Sequence, residues 1–198
     1  MVYINQKKYP NTPYITKTEM DGEDYEKGQH TTISSSGCGL CSAVIVADRL
    51  LYQPDFDLEA AIRLSYETKA NGRMGTSYKK FVPAFAERLN LRYEATDDME
   101  RLVECLQTGG VAVANVGGDR EGHIGVFSHI GHYIVVLNVE PDGRLAILDP
   151  AYSEHRYEEE GRVGKVEVKH EIIALCAPEV LKEDTANRSP AFYLFWRK

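Results

Sequence analysis

The chain has 198 residues, 43% hydrophobic and 27% charged, with a net charge of -7. That is long enough to bury a sizeable core in one domain spanning 1–198, and the acidic balance excludes a nucleic-acid partner, which would need clustered Lys and Arg. No apolar run approaches the ~20 residues of a membrane span.

The first segment, MVYINQKKYPNTPYITKTEMDGEDYEKGQ, has no apolar block suited to a signal peptide. With Met1 as the natural start, the expected location is cytoplasmic; with a leader removed, the protein is secreted. Residues 1–36 read as mostly irregular, punctuated by Pro10, Pro13, Gly22 and Gly28, with charges dominating 19–27. From Gly39, Leu40, Val44, Ala47 and Leu51 recur at helical spacing, and Ala43, Val46 and Leu50 widen the stripe, which predicts a largely buried helix. A second helix fits FDLEAAIRLSYETKA, capped by Asp57. A third fits SYKKFVPAFAERLN, with Phe81, Phe85 and Leu89 on one face and Pro83 awkward within it. A fourth fits DDMERLVECLQTGG, acidic at its start and followed by glycines.

The texture then changes to strands. VAVANV is followed by GGDREGHIGVFSHIG, a Gly- and His-rich loop, and HYIVVLNVE and RLAILDP flank the turn signal Pro141-Asp142-Gly143 as a hairpin. VGKVEVKH and AFYLFWRK are further strand candidates. Helices first and sheet second predict an α+β domain.

Both hairpin strands are otherwise apolar, so His132 and Asp149 are the polar exceptions at one end of the ribbon. With a four-residue loop from Glu140 to Gly143, Val139 faces Arg144 and Ile134 faces Asp149, one diagonal step from His132. A carboxylate there would fix the imidazole tautomer and favour its protonated form. A plain turn at Asp149-Pro150, with His132 marking the strand start, accounts for the same residues.

Four cysteines do not make a disulfide scaffold in a chain this long. Cys105 and Cys176 have apolar neighbours and read as core. Cys38 and Cys41, in SSSGCGLCSAV, admit three readings. A thioredoxin-type redox pair is one, although Thr31–Gly37 makes a poor core strand before it. Zinc held with His123, His129 or His132 is another. The third is a thiol nucleophile at a helix N-terminus, its pKa lowered by unpaired N–H groups, with Gly37 and Gly39 clearing space for a substrate. In that reading His132 pairs with the thiolate and Asp149 orients the ring, in the manner of thiol acyl transfer.

The stretch GCGLCSAVIVADRL resembles the GCGPTSLAMVL-type helix start of the bacteriocin-leader-processing peptidases and their stand-alone relatives, within the papain-like superfamily. GHYIVVLNVEPDGRLAILDP resembles the same family's GHFVVL…G…VNDP hairpin. The resemblance runs from about Thr32 to Pro150. It implies a papain-like fold, an N-terminal helical half packed on a C-terminal antiparallel sheet. It also implies a cofactor-free cysteine peptidase acting on a peptide or protein, with Cys38 as nucleophile, His132 as general base and acid, and Asp149 as orienting residue.

Two positions depart from the pattern. The family has Gln six residues before its Cys, where Thr32 stands here, the nearest upstream Gln being Gln29. The oxyanion donors are therefore expected to be the Cys38 backbone N–H with a hydroxyl from Ser34, Ser35 or Ser36. Leu40-Cys41 replaces Pro-Thr, which permits an alignment to papain's CGSCW with Cys41 as nucleophile; Ser42 in place of an aromatic favours Cys38. The 117–131 loop, with His123, Ser128 and Gly131, is the candidate substrate flap, its glycines favouring movement; a disordered surface loop accounts for the same residues. A thiol–disulfide protein using Cys38 and Cys41, or a non-catalytic peptide-binding domain, are the alternatives.

Overall fold

The structure is a computed structural model that describes residues 2–16, 29–52, 55–73 and 75–198. The charged stretch 19–27, with Gly22, and Gly28 lie outside the described residues. The remainder of the first 36 residues is more regular than their composition predicts. A 3-10 turn, Gln6–Lys8, precedes a two-stranded ribbon of β1 (Pro13–Thr16) and β2 (Gln29–Thr32), and α1 (Ile33–Ser36) follows at once. Periodicity misses this segment because each piece is only three or four residues long.

Helix α2 (Cys38–Leu51) is buried on nearly every side, as its broad apolar stripe requires. Helix α3 (Leu58–Glu67) starts at Asp57, whose carboxylate accepts the Ala60 N–H at 2.8 Å, a cap that contributes about 1 kcal/mol. A short ribbon, β3 (Asn71–Gly72) with β4 (Gly75–Thr76), leads to α4 (Tyr78–Arg88). Pro83 sits within α4 on its exposed side, where a carbonyl deprived of its N–H partner can turn to water.

Seven strands form one antiparallel sheet in the order β5-β11-β6-β7-β8-β10-β9. They are β5 (Leu91–Thr96), β6 (Val111–Val116), β7 (His132–Val139), β8 (Leu145–Leu148), β9 (Val166–Lys169), β10 (Ile173–Cys176) and β11 (Phe192–Arg197). Helix α5 (Met99–Gln107) and helix α6 (Pro178–Thr185) complete the chain. Strands β5 and β10 and helix α6 escape the sequence reading. β5 has the exposed, charged face of an edge strand, and β10 and α6 are short. Among the described residues no helix is long and apolar enough to cross a membrane.

The helical half does not all lie on one side. Val113, Val135, Tyr193 and Phe195 join α2, α3 and α4 in one core. Ala112, Ala114, Ile134, Val136 and Leu194 join α5 and α6 in a second core on the opposite face. A sheet covered on both faces explains why its central strands carry apolar residues on both faces.

The β7–β8 hairpin differs from the expected one at its turn. Val139 pairs with Leu145 rather than Arg144, so the loop has five residues. A bulge between Val136 and Asn138 then restores the expected register, giving Val136 opposite Ile147 and Val135 opposite Leu148. The one-residue shift at the turn is cancelled before it reaches the polar end of the hairpin.

Candidate active site

Cys38 is the first residue of α2, partly exposed, and His132 is the first of β7. Asp149 directly follows β8 and is 1% exposed, while His132 is 7% exposed. The His132 Nε2 lies 2.6 Å from Asp149 Oδ1, leaving Nδ1 as the ring nitrogen available to the Cys38 thiol, with which the imidazole interacts electrostatically. The structure thus brings Cys38, His132 and Asp149 into one chain of contacts from three elements.

The charges in this chain reinforce one another. Burial alone would push the Cys38 thiol up. The His132 charge, its hydrogen bond and the N–H groups of Tyr133 and Gly39 outweigh that and hold it below the ordinary thiol value. Burial would lower His132, but Asp149 and Cys38 prevail and push it up to about 9. Asp149 is held down to about 2 in spite of its burial, by His132, Arg156 and the Ala151 N–H. The arrangement favours a thiolate–imidazolium pair backed by a carboxylate.

Asp149 is itself firmly seated. Its Oδ1 accepts the Ala151 N–H at 2.7 Å, and its Oδ2 accepts the Tyr157 hydroxyl at 2.8 Å. Arg156 Nε stands 2.8 Å from Oδ2 as an ion pair, without the alignment of a hydrogen bond. Arg156 and Tyr157 come from the long loop after β8, and no local sequence signal distinguishes them from its other charged residues.

Cys41 lies a helical turn inward at 0% exposure, and burial drives its thiol well above the ordinary value. Four free cysteines are present. A thiol so protonated and enclosed is a poor nucleophile or resolving partner, which sets Cys38 apart from Cys41. Gly39 serves a purpose other than the expected one. A Cβ there would meet Thr76, Tyr78 and Tyr133 at 3.0–3.3 Å, so the glycine admits protein side chains rather than a substrate. Tyr78 donates its hydroxyl to the Gly39 carbonyl at 2.6 Å and stacks on Tyr133 at 4.2 Å between ring centroids. Beyond this stack is a cleft of about 400 Å³ whose walls include Tyr78, Pro83, Tyr93 and Tyr193.

The serines before Cys38 are placed less simply. Ser35 Oγ is taken up by the start of α1, accepting the Thr32 N–H at 3.1 Å and donating to the Thr32 carbonyl at 3.0 Å. Ser36 Oγ is 3.4 Å from Ser35 Oγ, and the Ser34 carbonyl accepts the Gln6 side-chain amide at 2.9 Å. None of the three hydroxyls bonds to Cys38 or His132 among the described residues. In the first turn of α2 the Cys41 N–H is bonded back to Gly37, at 2.9 Å, so the N–H groups of Cys38, Gly39 and Leu40 stand before the first bond of the helix ladder, as at any helix start.

The 117–131 loop is tied to the rest of the fold by several hydrogen bonds. His123 Nε2 lies 2.8 Å from Asp184 Oδ1, and the two Asp184 oxygens accept the Val126 and Phe127 N–H groups at 2.8 and 2.9 Å. Ser128 Oγ accepts the Ile130 and Gly131 N–H groups at 3.2 and 3.1 Å, and buried Arg162 donates to the Gly125 carbonyl at 2.9 Å. His123 and Ser128 therefore anchor the loop and make no hydrogen bond to the Cys38–His132–Asp149 chain. The buried anchors, Asp184 and Arg162, are remote from the loop in sequence. Gly131 has φ +140°, a backbone conformation that glycine tolerates, immediately before His132. Among the described residues no cluster of His, Cys, Asp and Glu is arranged to hold a metal ion, and His129 is instead paired with Asp119 and Glu159.

No family model matches this sequence, and no curated protein sequence matches it. A solved structure from Bacillus anthracis, provisionally described as a C39-like peptidase, aligns over 96% of each chain with a TM-score of 0.54 and 12% identity. A likeness at that identity is one of fold, and the chain has the α+β, papain-like fold of that structure.

Proposed function

We propose that this protein is a cysteine-type amide hydrolase acting on a peptide, with Cys38 as nucleophile, His132 as proton carrier and Asp149 as the group that orients and charges the ring. One observation carries this reading: buried His132 is bonded through Nε2 to Asp149 and holds the Cys38 thiol below its ordinary value. In the first step the Cys38 thiolate attacks the amide carbon, and the carbonyl π electrons move to oxygen. The oxyanion is received at the α2 helix start, by the Cys38 N–H. His132 then gives its Nδ1 proton to the leaving amine as the C–N bond breaks, leaving a thioester. A water molecule loses a proton to the now neutral imidazole, attacks the thioester carbon, and releases the acid with the Cys38 thiolate restored.

The narrower reading, implied by the resemblance to leader-processing peptidases, is cleavage after a double glycine. The Tyr78–Tyr133 stack pressed against Gly39 supports it, because bulky aromatic rings there leave little room beside Cys38. The test is a set of quenched fluorescent peptides carrying Gly-Gly, Ala-Ala or Leu-Leu at the centre, offered to the wild type and to Cys38→Ala. Cleavage by the wild type alone supports the hydrolase, and preference for Gly-Gly supports the narrower reading. No cleavage of any peptide, with Cys38 alkylating like an ordinary thiol, overturns both.

A further inference from the structure

We propose that Gln6 is a positioning residue for the Cys38–His132 pair, bracing the segment that carries Cys38 against the segment that carries Asp149. The proposal rests on the hydrolase reading above. The Gln6 backbone N–H donates to the Pro150 carbonyl at 2.7 Å, and Pro150 directly follows Asp149. Its side-chain Nε2 donates to the Ser34 carbonyl at 2.9 Å, and Ser34 lies four residues before Cys38. One residue, 4% exposed, thereby ties the sheet side of the site to the helix side.

The rest of the N-terminal segment supports both ends of this brace. On the sheet side, the Tyr3 hydroxyl donates to the Asp149 carbonyl at 2.7 Å and Asn5 Nδ2 to the Tyr152 carbonyl at 2.8 Å. On the helix side, the Ile33 N–H reaches the Thr12 carbonyl at 3.0 Å and the Ser34 N–H the Tyr9 carbonyl at 3.3 Å. Among the described residues of this segment, only Gln6 hydrogen-bonds to both sides.

The Gln6 amide also carries a cost that distinguishes positioning from simple stabilisation. Its Oε1 is buried without a hydrogen-bond partner among the described residues. A buried acceptor left unpaired is unfavourable, and an apolar side chain of similar volume would fill the space without it. What the amide supplies, and leucine could not, is a directional bond to the Ser34 carbonyl. A shift of α1 relative to Pro150 changes the reach between Cys38 and His132, on which the thiolate–imidazolium pair depends, because an ion pair weakens with separation.

The experiment compares Gln6→Leu, Gln6→Glu and the wild type, each as the full chain. Two quantities are read: the melting temperature, and the rate of Cys38 alkylation by iodoacetamide between pH 4 and 10, resolved by peptide mass. The expected result for Gln6→Leu is a melting temperature within a few degrees of wild type but a tenfold or greater loss of Cys38 alkylation at pH 6. Its profile moves towards that of an ordinary thiol. Gln6→Glu keeps the shape but, once ionised, has no donor for Ser34. It is expected to lose alkylation at pH 6 and recover towards the wild-type rate as the pH falls below about 4.3, where a carboxyl group regains its proton. Profiles that superimpose on the wild type overturn the brace, whatever happens to the melting temperature. If Gln6→Leu does not fold, Gln6→Glu decides alone. A wild-type Cys38 that alkylates like an ordinary thiol overturns the hydrolase reading itself, so the two failures are distinguishable.

Discussion

His132 and Asp149 meet at 2.6 Å because two irregularities in the β7–β8 hairpin cancel. The five-residue turn shifts the pairing by one position, and the bulge between Val136 and Asn138 shifts it back. A net shift of one would send one of the two side chains to the opposite face of the sheet. The contact also makes His132 dependent on a charge that can be removed without changing shape. In Asp149→Asn, His132 loses its counter-charge, so its pKa is expected to fall from about 9 towards the ordinary 6.5 and that of Cys38 to rise. Amide hydrolysis at pH 7 is expected to drop by roughly two to four orders of magnitude. Steady-state kinetics and His132 ring NMR check this; an unchanged rate would make Asp149 a structural residue only.

The two thiols are expected to separate cleanly on mutation. Cys38→Ala removes the nucleophile and is expected to lower hydrolysis at least about a thousandfold. Cys41→Ala touches a buried thiol with a raised pKa and is expected to retain most activity while lowering the melting temperature through a small cavity. Equal loss in both variants would return the pair to redox chemistry.

The activity should follow a bell in pH. Cys38 ionises below its ordinary value, so the acid limb lies on the acid side of an unperturbed thiol titration. His132 keeps its proton up to about 9, so the alkaline limb falls there as the general acid is lost. Alkylation, which needs only the thiolate, should persist past pH 9 where hydrolysis declines. Profiles of the two processes that fall together on the alkaline side would contradict this assignment.

Stability should sense the same pair from both ends. The folded pKa of Asp149 is depressed from 3.8 to about 2, so its contribution is present above 3.8 and is lost as pH falls through about 2. That of His132 is raised from 6.5 to about 9, so its contribution is complete below 6.5 and is lost as pH rises through about 9. Each limb is on the order of 2–3 kcal/mol and describes one shared interaction, so the two are not added. Between pH 6.5 and about 9 the lowered Cys38 thiol acts in the opposite sense to His132, so melting temperatures should stay nearly flat in the wild type and decline with pH in Cys38→Ala, where only the His132 limb remains.

Asp184 is expected to hold the 117–131 loop rigid. It is 0% exposed and accepts the Val126 and Phe127 N–H groups besides facing His123. Asp184→Ala leaves these donors buried without partners and should cost about 3 kcal/mol or more. Hydrogen exchange at Val126 and Phe127, slow in the wild type, should accelerate. Rapid exchange already present in the wild type would restore the mobile-flap expectation.

The features legible in the residues alone are mostly local. The stripe of α2 and the apolar runs of β6, β7 and β11 follow from periodicity and length, and the Asp57 cap follows from residue type. The polar exceptions His132 and Asp149 were legible because a carboxylate and an imidazole at the end of an apolar hairpin are costly to bury separately. Their mutual approach was reachable from sequence only through a register that the actual turn breaks and the bulge repairs. Tertiary structure alone decided the rest: which face of the sheet each helix covers, that Gly39 receives Tyr78 and Tyr133, and that Asp184 and Arg162 immobilise a glycine-rich loop. It also decided that Gln6 reaches Ser34 and Pro150, across 28 and 144 positions of chain. Such contacts depend on where remote segments pack, and a buried polar group chooses its partner by distance and direction in space, which no local pattern encodes.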